Sequence, residues 1–189
     1  MTSESTVPAA PPIRGTRRAV VVLGGTALAV LVIDLVTKYL VVSKLSDRPP
    51  VRLLGGAVYL SLTRNSGAAF SLGTSITFVF PVVTVLVVGW ICWMTRRLRS
   101  APWAVALGLI LGGALGNLTD RVFRAPGFLV GHVIDFISLF GPDARYFAIF
   151  NAADSALTCG VILAILLELT GRRRDGTRVQ GGTARDADH

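Results

Sequence analysis

Four long apolar runs, at residues 19–42, 75–95, 101–119 and 148–170, leave this 189-residue chain few ways to fold. A helix of about 20 apolar residues crosses the hydrocarbon core of a bilayer. Only helices and closed barrels satisfy their backbone hydrogen bonds there. The pattern therefore predicts a mainly α membrane protein, a bundle of four transmembrane helices. At 52% hydrophobic, the chain is too apolar for an ordinary soluble domain. The first run resembles a cleaved signal peptide, with Ala27-Leu28-Ala29 as the cleavage point, but it continues well past that tripeptide. A retained helix is expected instead. Pro81 is expected to kink the second helix.

The formal charge is +8, from 19 Lys and Arg against 11 Asp and Glu. In a soluble protein that excess would point to nucleic acid. Here the basic residues gather at the edges of the apolar runs, where they act as topology signals and contacts for anionic membrane lipids, so no nucleic-acid partner is expected. Four spans put both termini on one side. The clusters at 14–18, 96–99 and 172–174 mark that side as cytoplasmic. The loops 43–74 and 120–147 then face outward, although Lys44, Arg48, Arg52, Arg64, Arg121, Arg124 and Arg145 lie in them. Residues 1–18 and 171–189 are expected as disordered cytoplasmic tails around a single membrane domain, 19–170. Cys92 and Cys159 sit inside hydrophobic segments without a CxxC pair and are expected as small buried residues. Broken β-branched runs around Gly55-Gly56 suggest a hairpin, and 128–140 a further strand.

Two acidic residues stand where a membrane protein should avoid them: Asp135 in HVIDFI and Asp154 in FNAADSAL. An ionisable group at membrane depth costs at least ~2.5 kcal/mol and usually marks function. Two carboxylates held close share one proton, so one can activate a water while the other polarises a carbonyl. Spacing alone leaves a second reading equally open: two unrelated carboxylates, one capping a helix and one paired with an arginine. Asn117, Asp120 and Arg121 end the third run, with Asp120 and Arg121 read as an ion-pair corner or a tether to the loop. Asn151 precedes Asp154 at i, i+3 and is expected on the same helix face. Asn65 could cap a short surface helix. Asp34 and Lys38 have the i, i+4 spacing of an interfacial ion pair, with Lys38 snorkelling to water. A Ser/Lys dyad of Lys38 with Ser155 or Ser138 is disfavoured by that carboxylate. Gly112 and Gly116 suit close helix packing. A metal site from His132, Asp120, Asp135 and Asp154 lacks a recognised ligand spacing, so no metal or cofactor is expected. A small proton-coupled transporter and a non-enzymatic chaperone or assembly subunit are the competing classes.

Five blocks in order, DLVTK at 34–38, NSGAAF at 65–70, GGALGNLTDR at 112–121, GHVIDF at 131–136 and FNAADS at 150–155, resemble those of lipoprotein signal peptidase (signal peptidase II), a family of bacterial intramembrane aspartyl proteases. The resemblance implies a catalytic pair, Asp135 and Asp154, with Asn65, Gly67, Asn117, Arg121 and Asn151 positioning substrate or supporting the pair. It implies structural or supporting roles for Asp34, Lys38 and Asp120. It further implies a small extracytoplasmic β-sheet from 45–63 and 126–140, a surface helix at 66–73, and a multi-pass monomer in the bacterial cytoplasmic membrane. The implied substrates are diacylglyceryl-modified prolipoproteins, cut just before the lipidated cysteine.

Overall fold

The computed structural model describes residues 14–67 and 79–178. Within them lie four helices, α1 (Arg14–Leu45), α2 (Val79–Met94), α3 (Ala101–Phe123) and α4 (Ala152–Leu169), and three strands, β1 (Val51–Leu53), β2 (Val58–Asn65) and β3 (Val133–Leu139). All four helices are long and apolar enough to cross a membrane. The expected surface helix at 66–73 lies almost wholly outside the described residues, as does the start of the second predicted span, so the expected kink at Pro81 falls at their edge.

The helix limits differ from the apolar runs for local reasons. α1 extends past the apolar run 19–42 on both sides, and its C-terminal end stops short of the proline pair 49–50. α3 continues through Asp120 and Arg121, which belong to the helix rather than to the following loop, because both side chains are buried against other elements. α4 starts at Ala152 because Phe150 is drawn into an antiparallel bridge with Ile137 of β3. The described chain beyond α4 reaches Arg178 and folds back on itself. Arg172 and Arg178 bridge, and the Arg174 carbonyl accepts from the Arg99 and Ser100 amides.

α3 is the central helix and packs against the other three. Helices in lipid gain little from the hydrophobic effect, so close packing of small residues holds them together. A Cβ on Gly112 would lie 2.6 Å from the Ala27 carbonyl oxygen of α1, and one on Gly113 would collide with the Ala153 carbonyl of α4. A Cβ on Gly116 would lie 2.6 Å from Asp34 Oδ2 of α1 and 3.1 Å from the Ala153 Cβ of α4, so the Gly112 and Gly116 pair does serve close packing. α1, α2 and α4 present exposed apolar faces, as lipid-facing helices should. Cys92 and Cys159 lie on those exposed faces, not in the core as expected. A helix apolar on all sides does not reveal which face meets lipid.

The antiparallel sheet has the order β1-β2-β3. The Gly55-Gly56 reversal is real: both residues have positive φ, at 66° and 103°, which glycine adopts without a Cβ clash. Val58 pairs with Leu139 and Asn65 with Val133, with a register shift between Leu60 and Thr63. The sheet occupies less sequence than expected, since residues 126–132 form turns before β3. Val41, Ile134 and Phe136 seal it against the end of α1. A second core around Ile91, Leu98, Trp103 and Leu107 closes the far end of the bundle.

Candidate active site

Two distant segments meet because of backbone hydrogen bonding. The Phe136 and Ile137 amides donate to the Phe150 carbonyl, and Phe150 donates back to Ile137. That ladder lays the start of α4 alongside Asp135. Asn151 then caps α4. Its side-chain oxygen accepts from the Asp154 amide at 2.9 Å, and the Asp154 carboxylate accepts from the Asn151 amide at 3.2 Å. Asn151 is therefore the cap, not a partner on the same helix face, and Asp154 lies in the first turn. The negative side chain suits the positive end of the helix dipole.

Asp135 and Asp154 line one cavity of about 340 Å³ with Asn65, Asn117, Arg121 and Phe80. Asp135 is almost wholly buried yet receives an amide hydrogen on each oxygen: Asn65 Nδ2 at 2.8 Å and Asn151 Nδ2 at 2.7 Å. The sheet register explains the first, since Asp135 pairs with Thr63 and Asn65 lies two residues on, on the same face. Asp154 accepts from Asn117 Nδ2 at 2.7 Å. Asn151 Nδ2 also donates to Asn117 Oδ1 at 3.1 Å, so an unbroken chain Asp135–Asn151–Asn117–Asp154 links the carboxylates. Burial pushes the Asp135 carboxyl up to about 6. The Asn65 hydrogen bond opposes this rise, and the charge of Asp154 adds to it.

Behind this chain sits Lys38, fully buried rather than snorkelling. Its ammonium lies 2.7 Å from Asp34, 2.8 Å from Asp120 and 3.1 Å from Asn117 Oδ1. An ammonium only donates, so Lys38 fixes the Asn117 amide with its oxygen inward and its NH₂ toward Asp154. Asp34 reaches across to accept from the Ala153 amide in the first turn of α4 at 2.9 Å. Asp120 accepts from the Ile134 amide, next to Asp135, at 3.1 Å and pairs with Arg124 as well as Lys38. Asp120 and Arg121 do not pair with each other as a corner; of the two expected readings the tether holds, since each binds the backbone of the segment 131–134. Arg121 instead donates to the Asn65 and Gly131 carbonyls at 3.2 and 2.9 Å and lies 5.5 Å from the centre of the Phe80 ring. Gly67, at φ 88°, donates its amide to Asn65 Oδ1 at 2.7 Å, and a Cβ there would meet Phe80 at 2.9 Å.

The other sequence candidates lie elsewhere. Ser155 and Ser138 hydroxyls donate to the Asn151 and Gly141 carbonyls, not to Lys38. His132 lines a different cavity, with Val42 and Phe123. No local pattern marks Phe80, Val83 or Leu157, apolar residues that wall the cavity. Periodicity does not separate them from lipid-facing neighbours.

Buried polar side chains converging at one end of a four-helix bundle, beside an apolar cavity, define a polytopic membrane protein with an enzyme-like site. Comparison with known proteins narrows the class. Residues 26–170 match the model of the family described as signal peptidase (SPase) II. The lipoprotein signal peptidase of Streptomyces coelicolor is 48% identical over 164 residues, covering 87% of this chain and 78% of that protein. The Mycobacterium avium lipoprotein signal peptidase is 45% identical over 188 residues, covering 98% and 100%. A solved bacterial membrane enzyme, determined in meso at 1.9 Å resolution, superposes with a TM-score of 0.67 at 30% identity, covering 81% of this chain and 93% of that one. The chain belongs to the signal peptidase II family and is a multi-pass membrane protease.

Proposed function

We propose that this protein removes the signal peptide from diacylglyceryl-modified prolipoproteins, cleaving just before the lipidated cysteine with Asp135 and Asp154 as an aspartyl pair. The observation that carries this reading is the bridged arrangement of the two carboxylates in one cavity, each held by amide donors. In the proposed step, the ionised carboxylate takes a proton from a water. That water attacks the scissile carbonyl carbon, whose oxygen is polarised by the protonated carboxyl. Collapse of the tetrahedral species breaks the C–N bond as the leaving amine takes the proton that the first carboxylate accepted from the water, and the hydroxyl formed from the carbonyl oxygen returns its proton to the other carboxylate. The raised Asp135 carboxyl fits the protonated partner.

Asn65, Asn151 and Asn117 hold the carboxylates, while Lys38, Asp34 and Asp120 hold those amides and the start of α4. Arg121 and Gly67 shape the cavity beside Asn65. The sheet end faces the extracytoplasmic side, because the tight clusters Arg96-Arg97 and Arg172–Arg174 lie at the other end. One domain, 19–170, carries the activity as a monomer. The apolar wall of Phe80, Val83 and Val87 suits acyl chains, whose burial is worth ~0.8 kcal/mol per CH₂.

A cleavage assay on matched lipidated and unlipidated precursors, reconstituted with the purified protein, tests the substrate reading. Lipidated precursor should be cut far faster, and equal rates would reject a lipid-dependent site. A proton-coupled transporter would need uptake into proteoliposomes, which this reading does not predict.

A further inference from the structure

At the far end of the bundle, the last residues of α2 and α4 and the segments that follow them line a cavity of about 610 Å³. Its walls carry Arg96, Arg97, Arg173 and Arg174 against only two acids, Glu168 and Asp175. Glu168 in the cavity wall lies one helix-length beyond Asp154 on α4, roughly 21 Å away at ~1.5 Å per residue, which puts the cavity near the opposite bilayer surface. The chain holds these arginines in place with its backbone. Trp103 Nε1 donates to the Arg172 carbonyl at 2.7 Å, and the Arg173 amide donates to the Thr177 carbonyl at 2.9 Å. Arg174 lies 5.1 Å from the centre of the Trp103 ring, and its only carboxylate contact among the described residues is Glu168 at 3.9 Å. Among the described residues, Arg96, Arg97 and Arg173 have no carboxylate within 4 Å. Asp175 is turned to its own hairpin, accepting from the Thr177 amide and hydroxyl. Trp90 and Trp93 lie exposed on the adjoining face of α2, at the depth where tryptophan favours a lipid interface.

We propose that this cavity binds the phosphate headgroup of an acidic phospholipid, with the acyl chains lying against the exposed face of α2. Arginine gives several donors matched to phosphate oxygens, and the excess of positive charge excludes a basic peptide. A loose juxtamembrane charge cluster would not need the ordered hairpin that fixes Arg173 and Arg174.

The test is a lipid titration of the purified full-length protein in detergent, read by native mass spectrometry. The probes are phosphatidylglycerol, phosphatidylcholine of the same chains, and inorganic phosphate as competitor. The triple variant Arg96→Gln, Arg97→Gln, Arg173→Gln should lose phosphatidylglycerol affinity on the order of a hundredfold, at about fivefold per arginine. A control triple at the sheet end, Lys44→Gln, Arg48→Gln, Arg145→Gln, should bind as the wild type does. Retained affinity in the arginine variant, equal loss in the control, or equal binding of phosphatidylcholine would overturn the proposal. Displacement of the lipid by millimolar phosphate would overturn it in favour of a free anion. If the triple variant does not fold, Arg173→Gln alone must still weaken phosphatidylglycerol binding about fivefold.

Discussion

Replacing Lys38 by Met probes the support behind the site more sharply than any other single change. The methionine fills a similar volume but removes the ammonium that lies 2.7 Å from Asp34 and 2.8 Å from Asp120. Asp120 keeps Arg124 and the Ile134 amide, whereas Asp34 keeps only the Ala153 amide. One carboxylate is therefore left buried without a countercharge. Breaking a buried pair this way costs about 3–5 kcal/mol. Asn117 also loses the donor that orients its amide, so cleavage should fall even in the fraction that remains folded. The measurement is an unfolding titration in mixed micelles, followed by circular dichroism and tryptophan fluorescence. Lys38→Met should lose about 4 kcal/mol. The double variant Asp34→Asn, Lys38→Met should recover about 1–2 kcal/mol, because the orphaned charge goes with it. A Lys38→Met protein within ~0.5 kcal/mol of wild type, or a double variant no more stable than the single, would refute this reasoning.

Other expectations follow from the same geometry. Asp135 has its carboxyl raised from 3.8 to about 6, so its contribution to stability is full below about pH 4 and is lost as pH rises through about 6. If the pair needs one proton, kcat/KM falls across the same window. Asn65→Ala removes a hydrogen bond that lowers this value, so the alkaline limb should move to higher pH, and a shift to lower pH would contradict the assignment. Gly116→Ala places a Cβ 2.6 Å from Asp34 Oδ2 and 3.1 Å from the Ala153 Cβ, and should cost about 1–3 kcal/mol in the same unfolding titration. The exposed Gly89, whose Cβ would meet nothing within 4 Å, should accept alanine without loss.

The spans were legible because their length and apolarity admit nothing else, and the close approach at Gly112 followed from residue size alone. Asp34 and Lys38 were legible as a pair but not as a buried one. Helical spacing relates two residues on one helix and says nothing of Asp120 and Asn117 arriving from another. The position of Asn151 was misread for a similar reason. Local pattern continues the helix through it, and only the distant bridge between Phe150 and Ile137 makes it the cap. Arg121 and its neighbour Asp120 suggest a pair, yet on a helix adjacent residues point apart, and the carbonyl partners of Arg121 lie at the end of β2 and in the turn before β3.

The account depends most on the joint action of Asp135 and Asp154. The direct measurement is single-turnover cleavage of a lipidated precursor by the wild type and by the separate variants Asp135→Asn and Asp154→Asn, each first checked for wild-type unfolding behaviour. Both variants should insert, fold and leave the precursor uncut. Substantial cleavage by either one would contradict the account.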